Sequence, residues 1–138
     1  MESLDTNVVV RLLVEDDPLQ LRLAAELWRE AIHRDGIFLS EVVLVETVWV
    51  LNTSYRFDRQ TIVKVLDAMM RIEGVSVEQE ERISTALQAY AAGPADFSDY
   101  LILTTAQRHR ALPVHSFDRR FARVAGVGLV RGASPSTT

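Results

Sequence analysis

The chain has 138 residues and a formal net charge of −4, with 48% hydrophobic and 25% charged residues, the size and makeup of one globular domain around a single core. It contains no cysteine, which excludes disulfides and thiolate metal sites, and no apolar run approaching the roughly 18 residues that span a bilayer. The overall charge shows no basic stripe for nucleic acid, and the N-terminus lacks the basic-then-apolar order of a secretory signal, so the expected setting is the cytoplasm, with no membrane partner.

In chain order, "ESLD" reads as a short strand ending at Asp5, because a strand continuing through that carboxylate would bury a charge in the sheet. A helix follows from about Asn7. Asp17 and Pro18 open a second helix, as N-cap and first helical residue. Leu21, Ala24, Ala25, Trp28, Ala31 and Ile32 recur along it at helical spacing, and Gly36 ends it. "IFL" is a buried second strand. The segment from Val42 to Leu51 is rich in β-branched residues but longer than most strands, and Ser40 before it is a good cap. It reads as a helix, apolar nearly all round and so expected to be buried nearly all round, with Glu46 at its centre. A capped amphipathic helix then carries Ile62, Val65, Leu66 and Met69 on one stripe, with Met69 and Met70 as core filler. Lys64, the only lysine, lies on its solvated face.

"VSV" is a third strand. A helix with Ile83, Ala86, Leu87 and Tyr90 inward ends at Gly93-Pro94, and another starts with Asp96 as its cap. A fourth strand ends at His115, expected to be half-buried, and "VGLV" is a fifth. Residues 132–138 read as a disordered tail behind a single domain spanning 1–131. Strands alternating with helices predict an α/β fold: a three-layer α/β/α sandwich with a central, mostly parallel sheet. In such sheets ligands sit beyond the carboxyl ends of the strands, where Asp5 and Asp118 fall.

Four acids are the candidate functional groups: Asp5, Glu46, Asp99 and Asp118, with Asp96 nearby. Asp5 and Asp118 can equally serve as caps, Asp96 is a natural N-cap, and Asp99 three residues on gains about 0.3–1 kcal/mol from the helix dipole without any further role. Glu46 is different. A carboxylate on a buried apolar helix costs several kcal/mol unless something compensates it, and no Lys or Arg stands at i±3 or i±4. A distant arginine, Arg11 or Arg119, or a cation must then supply the counter-charge. Two carboxylates about 4 Å apart repel by about 4 kcal/mol at an effective dielectric of about 20, so four in one pocket call for a dication. All-oxygen ligands suit Mg²⁺ or Mn²⁺. Such ions acidify a water and neutralise a transferring phosphoryl group, which is the apparatus of phosphodiester cleavage.

Competing motifs fail. There is no Gly-rich phosphate loop. A haloacid-dehalogenase-type phosphatase would need an acid where Asn7 stands. A response-regulator receiver would need acids before Asp5 and a late lysine. His33, His109 and His115 lack metal spacing.

With "LDTNVVVRLLVEDDP", "SEVVLVETVWVL", "ADFSDYLI" and "HSFDRRFARVAGVGLV" in this order, the chain resembles the PIN-domain ribonucleases, above all the VapC-type toxins of bacterial toxin–antitoxin pairs. The resemblance implies that Asp5, Glu46, Asp99 and Asp118 are the catalytic, metal-holding acids. It implies that Thr6, Asn7 and Ser116 are their small polar companions, and it leaves open whether Asp96 shares or exchanges a role with Asp99 or only caps the helix. It also implies a Mg²⁺- or Mn²⁺-dependent endoribonuclease, a homodimer, and inhibition by a cognate antitoxin protein. Arg11, Arg119 and Arg120 are candidates for phosphate contacts. The acidic balance predicts weak binding to bulk RNA and recognition of one folded RNA or of a single-stranded segment within it. A second subunit or an antitoxin peptide could face the region of Trp49 and Phe57, or the helix over 19–28. Two alternatives remain open from sequence: a PIN-like DNA nuclease, and a non-catalytic metal-binding interaction module.

Overall fold

A computed structural model of the chain describes residues 1–132. The proposed tail lies outside the described residues except for Gly132. The element order is β1 (Glu2–Ser3), α1 (Thr6–Leu13), α2 (Pro18–Arg34), β2 (Ile37–Leu39), α3 (Glu41–Thr53), α4 (Arg59–Met70), β3 (Val75–Val77), α5 (Glu80–Ala92), α6 (Phe97–Arg108), β4 (Val114–Ser116), a 3₁₀ turn (Phe121–Arg123) and β5 (Val127–Leu129). The expected alternation is therefore present. The helix starts are set by side-chain caps: Asp17 Oδ1 accepts from Gln20 N at 3.0 Å, Ser40 Oγ from Val43 N at 3.3 Å, and Asp58 Oδ1 from Thr61 N at 2.8 Å. Each such cap contributes about 1 kcal/mol.

Every strand pairing is parallel. β2 lies between β1 and β3, with Glu2 opposite Ile37 and Phe38 opposite Ser76, while β4 pairs with β5, Val114 opposite Val127. The sheet is hydrogen-bonded in two groups, β1-β2-β3 and β4-β5, rather than as one continuous ladder. Strands of two or three residues carry few ladder bonds, so cohesion comes from the apolar helix faces closed over them. Ile37 and Leu39 of β2 are fully buried, as are Val9, Leu44, Leu51, Ile62, Leu66 and Ile83 from four helices. This is the α/β/α sandwich with helical layers enclosing parallel strands.

Several boundaries differ from expectation. β1 ends at Ser3, α1 begins at Thr6, and β4 runs through Ser116. His115 is exposed rather than half-buried, since Val114 and Ser116 on either side of it point inward. The larger correction concerns α3. Leu44, Thr47, Val48 and Leu51 face the core, but Val42 is 66% and Trp49 65% exposed, and Glu46 between them is exposed too. The helix is apolar all round, yet one of its faces lies open to solvent.

Gly36 joins α2 to β2 at φ +83°, and a Cβ there would stand 2.8 Å from the Gly74 carbonyl oxygen, the acceptor for Ile37 N. The left-handed backbone costs a residue with a Cβ about 1–2 kcal/mol, and the clash is with backbone that other bonds hold in place. Gly36→Ala should therefore lower unfolding free energy by at least about 2 kcal/mol, read as an earlier urea midpoint with unchanged slope.

Candidate active site

The first part of the site is built on the break after β1. Asp5 is the N-cap of α1, and its Oδ1 accepts from Thr6 N at 2.7 Å. The buried Thr6 turns its hydroxyl toward α3 and donates to Glu46 Oε1 at 3.1 Å. One residue thus couples two acids from separate segments. α1 packs on α3, which keeps the coupling in place.

The second part is built on the start of α6 and the turn after β4. Asp99 Oδ2 accepts from Asp96 N at 3.0 Å, as in the reciprocal pairing of a capping box. Asp118 N donates to Ser116 Oγ at 3.0 Å, and Asp118 Oδ1 accepts from Arg120 N at 2.8 Å and Phe121 N at 3.3 Å. α6 packs on β4 and leads into it through a short loop. It runs antiparallel to that strand, so its N-terminus lies at the strand's carboxyl end. Asp5 and Asp118 do act as caps, but each does so through Oδ1, which leaves Oδ2 for another contact.

Burial pushes the Asp99 carboxyl above its usual value, and the negative charges of Asp96 and Asp118 push it further, against the Asp96 backbone N–H and the Arg120 guanidinium. A raised folded-state value means that ionised Asp99 subtracts stability. The deficit is absent below the ordinary carboxylate range and grows as pH rises through the folded-state value. Asp99→Asn keeps an acceptor for Asp96 N–H. In chelator it should melt above wild type near pH 7, and the two proteins should converge below about pH 3. Thermal melts across pH check this.

Glu46 on α3 and Asp96 at the start of α6, with Arg120, line a cleft of about 410 Å³, whereas Asp5, Asp99 and Asp118 lie outside its lining. Arg120 Nη2 stands 3.9 Å from Asp96 Oδ1. The acids appear at one end of the fold as two couples, Asp5 with Glu46 and Asp99 with Asp118, rather than as one tight cup. Among the described residues no three acidic or histidine side chains are gathered closely enough to hold a metal ion as they stand. The donor chemistry is nonetheless that of a hard dication: only carboxylates, each with one oxygen free of hydrogen bonds, and one raised in pKa by burial and then by its like-charged neighbours.

Glu46 needs a correction. It is exposed and takes a hydrogen bond from Thr6, so water and a hydroxyl satisfy it, and burial does not oblige a counter-charge there. Arg11 lies toward the far end of α1 from Asp5, engaged with Asp16 Oδ1 at 2.7 Å and Tyr55 Oη at 3.0 Å. Arg11 and Asn7 line a groove between α1 and α2 instead of the acid cleft. Arg119 is exposed beside Asp118.

Sequence reading missed Arg59, Asn52 and Ser98. Arg59 donates from Nη1 to the carbonyls of Tyr90 (3.1 Å) and Ala95 (2.5 Å) and from Nη2 to that of Pro94 (3.2 Å), and so holds the segment that delivers Asp96 and Asp99. Nothing in local spacing signals this, because its partners are backbone oxygens more than thirty positions away.

The PIN domain family model matches residues 3–127. The chain is also 28% identical over 127 residues to a protein of Aquifex aeolicus (strain VF5) named VapC ribonuclease, covering 90% of this chain and 92% of that one. The matched span takes in all four acids. With parallel strands enclosed by helices and carboxylates at the strand ends, the chain belongs to the PIN domain family.

Proposed function

We propose that this chain is a metal-dependent endoribonuclease and the toxin of a toxin–antitoxin pair, acting in the cytoplasm on RNA phosphodiesters. The observation that supports the reading is the pairing of acids from separate segments, Asp5 with Glu46 through Thr6 and Asp99 with Asp118, in a chain similar to a protein named for ribonuclease activity.

Asp5, Glu46, Asp99 and Asp118 would hold Mg²⁺ or Mn²⁺. A dication so bound acidifies a water and offsets charge on the phosphoryl group under attack. The rest falls to the chain itself. Thr6 fixes the rotamer of Glu46 through its hydroxyl. Ser116 fixes the turn that presents Asp118. Asp96 shares the α6 start with Asp99 and meets Arg120. With Arg11 committed to Asp16, phosphate binding falls to Arg119 and Arg120, the latter opening its guanidinium into the cleft, where it can take two phosphate oxygens at once.

Leu19, Leu23 and Leu27 follow one another at i, i+4, i+8 on α2 and are all exposed. Such a stripe suits an antitoxin helix or a second copy of the chain.

The test is cleavage of end-labelled RNA and sequence-matched DNA by purified chain with Mg²⁺, Mn²⁺ or chelator. RNA should be cut only with metal, and DNA spared. Cutting DNA equally would point to the DNA-nuclease alternative. Magnesium that raises the melting temperature without any cleavage would overturn the enzyme reading in favour of a metal-stabilised interaction module.

A further inference from the structure

Glu46 and Asp96 are the carboxylates of the 410 Å³ cleft, and most of its lining is left without a task. Trp49 stands three residues beyond Glu46 on α3, on the same face, with its indole 65% exposed at the cleft. Exposed aromatic rings beside a phosphate-handling site are the platforms on which single-stranded nucleic acids stack their bases.

We propose that the cleft is a nucleobase subsite. It seats one unstacked base of single-stranded RNA on Trp49, beside the phosphate to be cut, and it favours bases that carry an exocyclic amine over uracil. The inference rests on the ribonuclease reading above and names the feature of the RNA that this site selects.

The edge preference follows from where the rim's protons already go. Asn52 Nδ2 gives one of its two hydrogens to the Phe57 carbonyl at 3.2 Å, which leaves both lone pairs of Oδ1 and one N–H. The Thr53 hydroxyl gives its proton to the Trp49 carbonyl at 2.7 Å and keeps only lone pairs. With one Asn52 N–H remaining, the α3 wall therefore offers fewer donors than acceptor lone pairs. Adenine N6, cytosine N4 and guanine N2 bring amino hydrogens to meet them, whereas uracil brings two carbonyl oxygens and a single N3–H. Across the cleft, Ser98 at the start of α6 and Arg120 supply donors, the polarity a sugar–phosphate backbone requires.

The test uses the full chain carrying Trp28→Phe, so that emission reports Trp49 alone, in chelator so that no RNA is cut. The probes are the hexanucleotides rA6, rC6 and rU6. The expected result is quenching by rA6 and rC6 with Kd at least about fivefold below that of rU6. By anisotropy of end-labelled hexamers, Trp49→Ala should weaken binding about tenfold, and Asn52→Leu should keep the stacking but erase the difference between bases. With metal, Trp49→Ala should raise KM while kcat stays within a few-fold. Equal binding of all three hexamers, or binding indifferent to Trp49→Ala, overturns the subsite even where RNA cleavage is intact. A change of mass in light scattering on Trp49→Ala would assign the cleft to an interface between copies and overturn it as well. Discriminating binding without any cleavage upholds the subsite and removes the ribonuclease reading instead.

Discussion

Asp5→Asn should reduce metal-dependent RNA cleavage by roughly a thousandfold while leaving the protein folded. Withdrawing one negative charge about 4 Å from a cation forfeits about 4 kcal/mol at an effective dielectric near 20, and that converts to about three decades of rate. Asparagine caps a helix as well as aspartate does, so the bond from Thr6 N survives and with it the start of α1. The circular dichroism melt should shift little, and initial rates of RNA cleavage should fall to background. Glu46→Gln should behave alike, because glutamine still offers an oxygen to the Thr6 hydroxyl. A pair of variants that fold normally and cut RNA at the wild-type rate would remove these acids from the chemistry.

The second large effect lies away from the acids. Arg59→Met should cost about 3 kcal/mol of unfolding free energy and about 10 °C of melting temperature. The guanidinium holds the carbonyls of Tyr90, Pro94 and Ala95 and lies with its central carbon 4.5 Å above the Tyr90 ring. Methionine fills the volume but leaves those oxygens without a donor, and it gives up the attraction between cation and ring. Tyr100 grips the same segment from the other side: its hydroxyl donates to the Gly93 carbonyl at 2.5 Å and accepts from Ala95 N at 3.3 Å. Residues 93–95 are the approach to Asp96. Loosening them lets the start of α6 drift, so cleavage should fall together with stability. Arg59→Lys should restore only part of either, since an ammonium cannot present the same planar set of donors. Urea titration and RNA cleavage on the same preparations measure both.

How much of this was legible in the residues depends on whether the signal was local. Caps were. Asp17 with Pro18, Ser40 and Asp58 each sit just before an apolar-periodic run, and the structure starts helices at all three. The reading of Val42 to Leu51 as helix, against its β-branched composition, held within the observed Glu41–Thr53, because Ser40 and the length of the run outweighed propensity. Burial was not legible in the same way. An apolar surround says what a side chain is next to in sequence, not whether another element covers that face, and so Glu46, Trp49 and Val42 came out exposed. The sharing of partners was hidden for a related reason. Arg11 read as a phosphate ligand until Asp16 and Tyr55, the latter 44 positions away, took it up. Arg59 carried no signal at all, since backbone carbonyls have no letter of their own.

The acids lie at positions 5, 46, 99 and 118, and their order along the chain has a consequence for synthesis. A polypeptide leaves the ribosome from its N-terminal side, so Asp118 with its Ser116 support is the last component to emerge. Until then a growing chain lacks one of the four acids. On the proposed reading, the translating machinery is handling a harmless precursor until Asp118 has emerged, and the hazard begins only after that point.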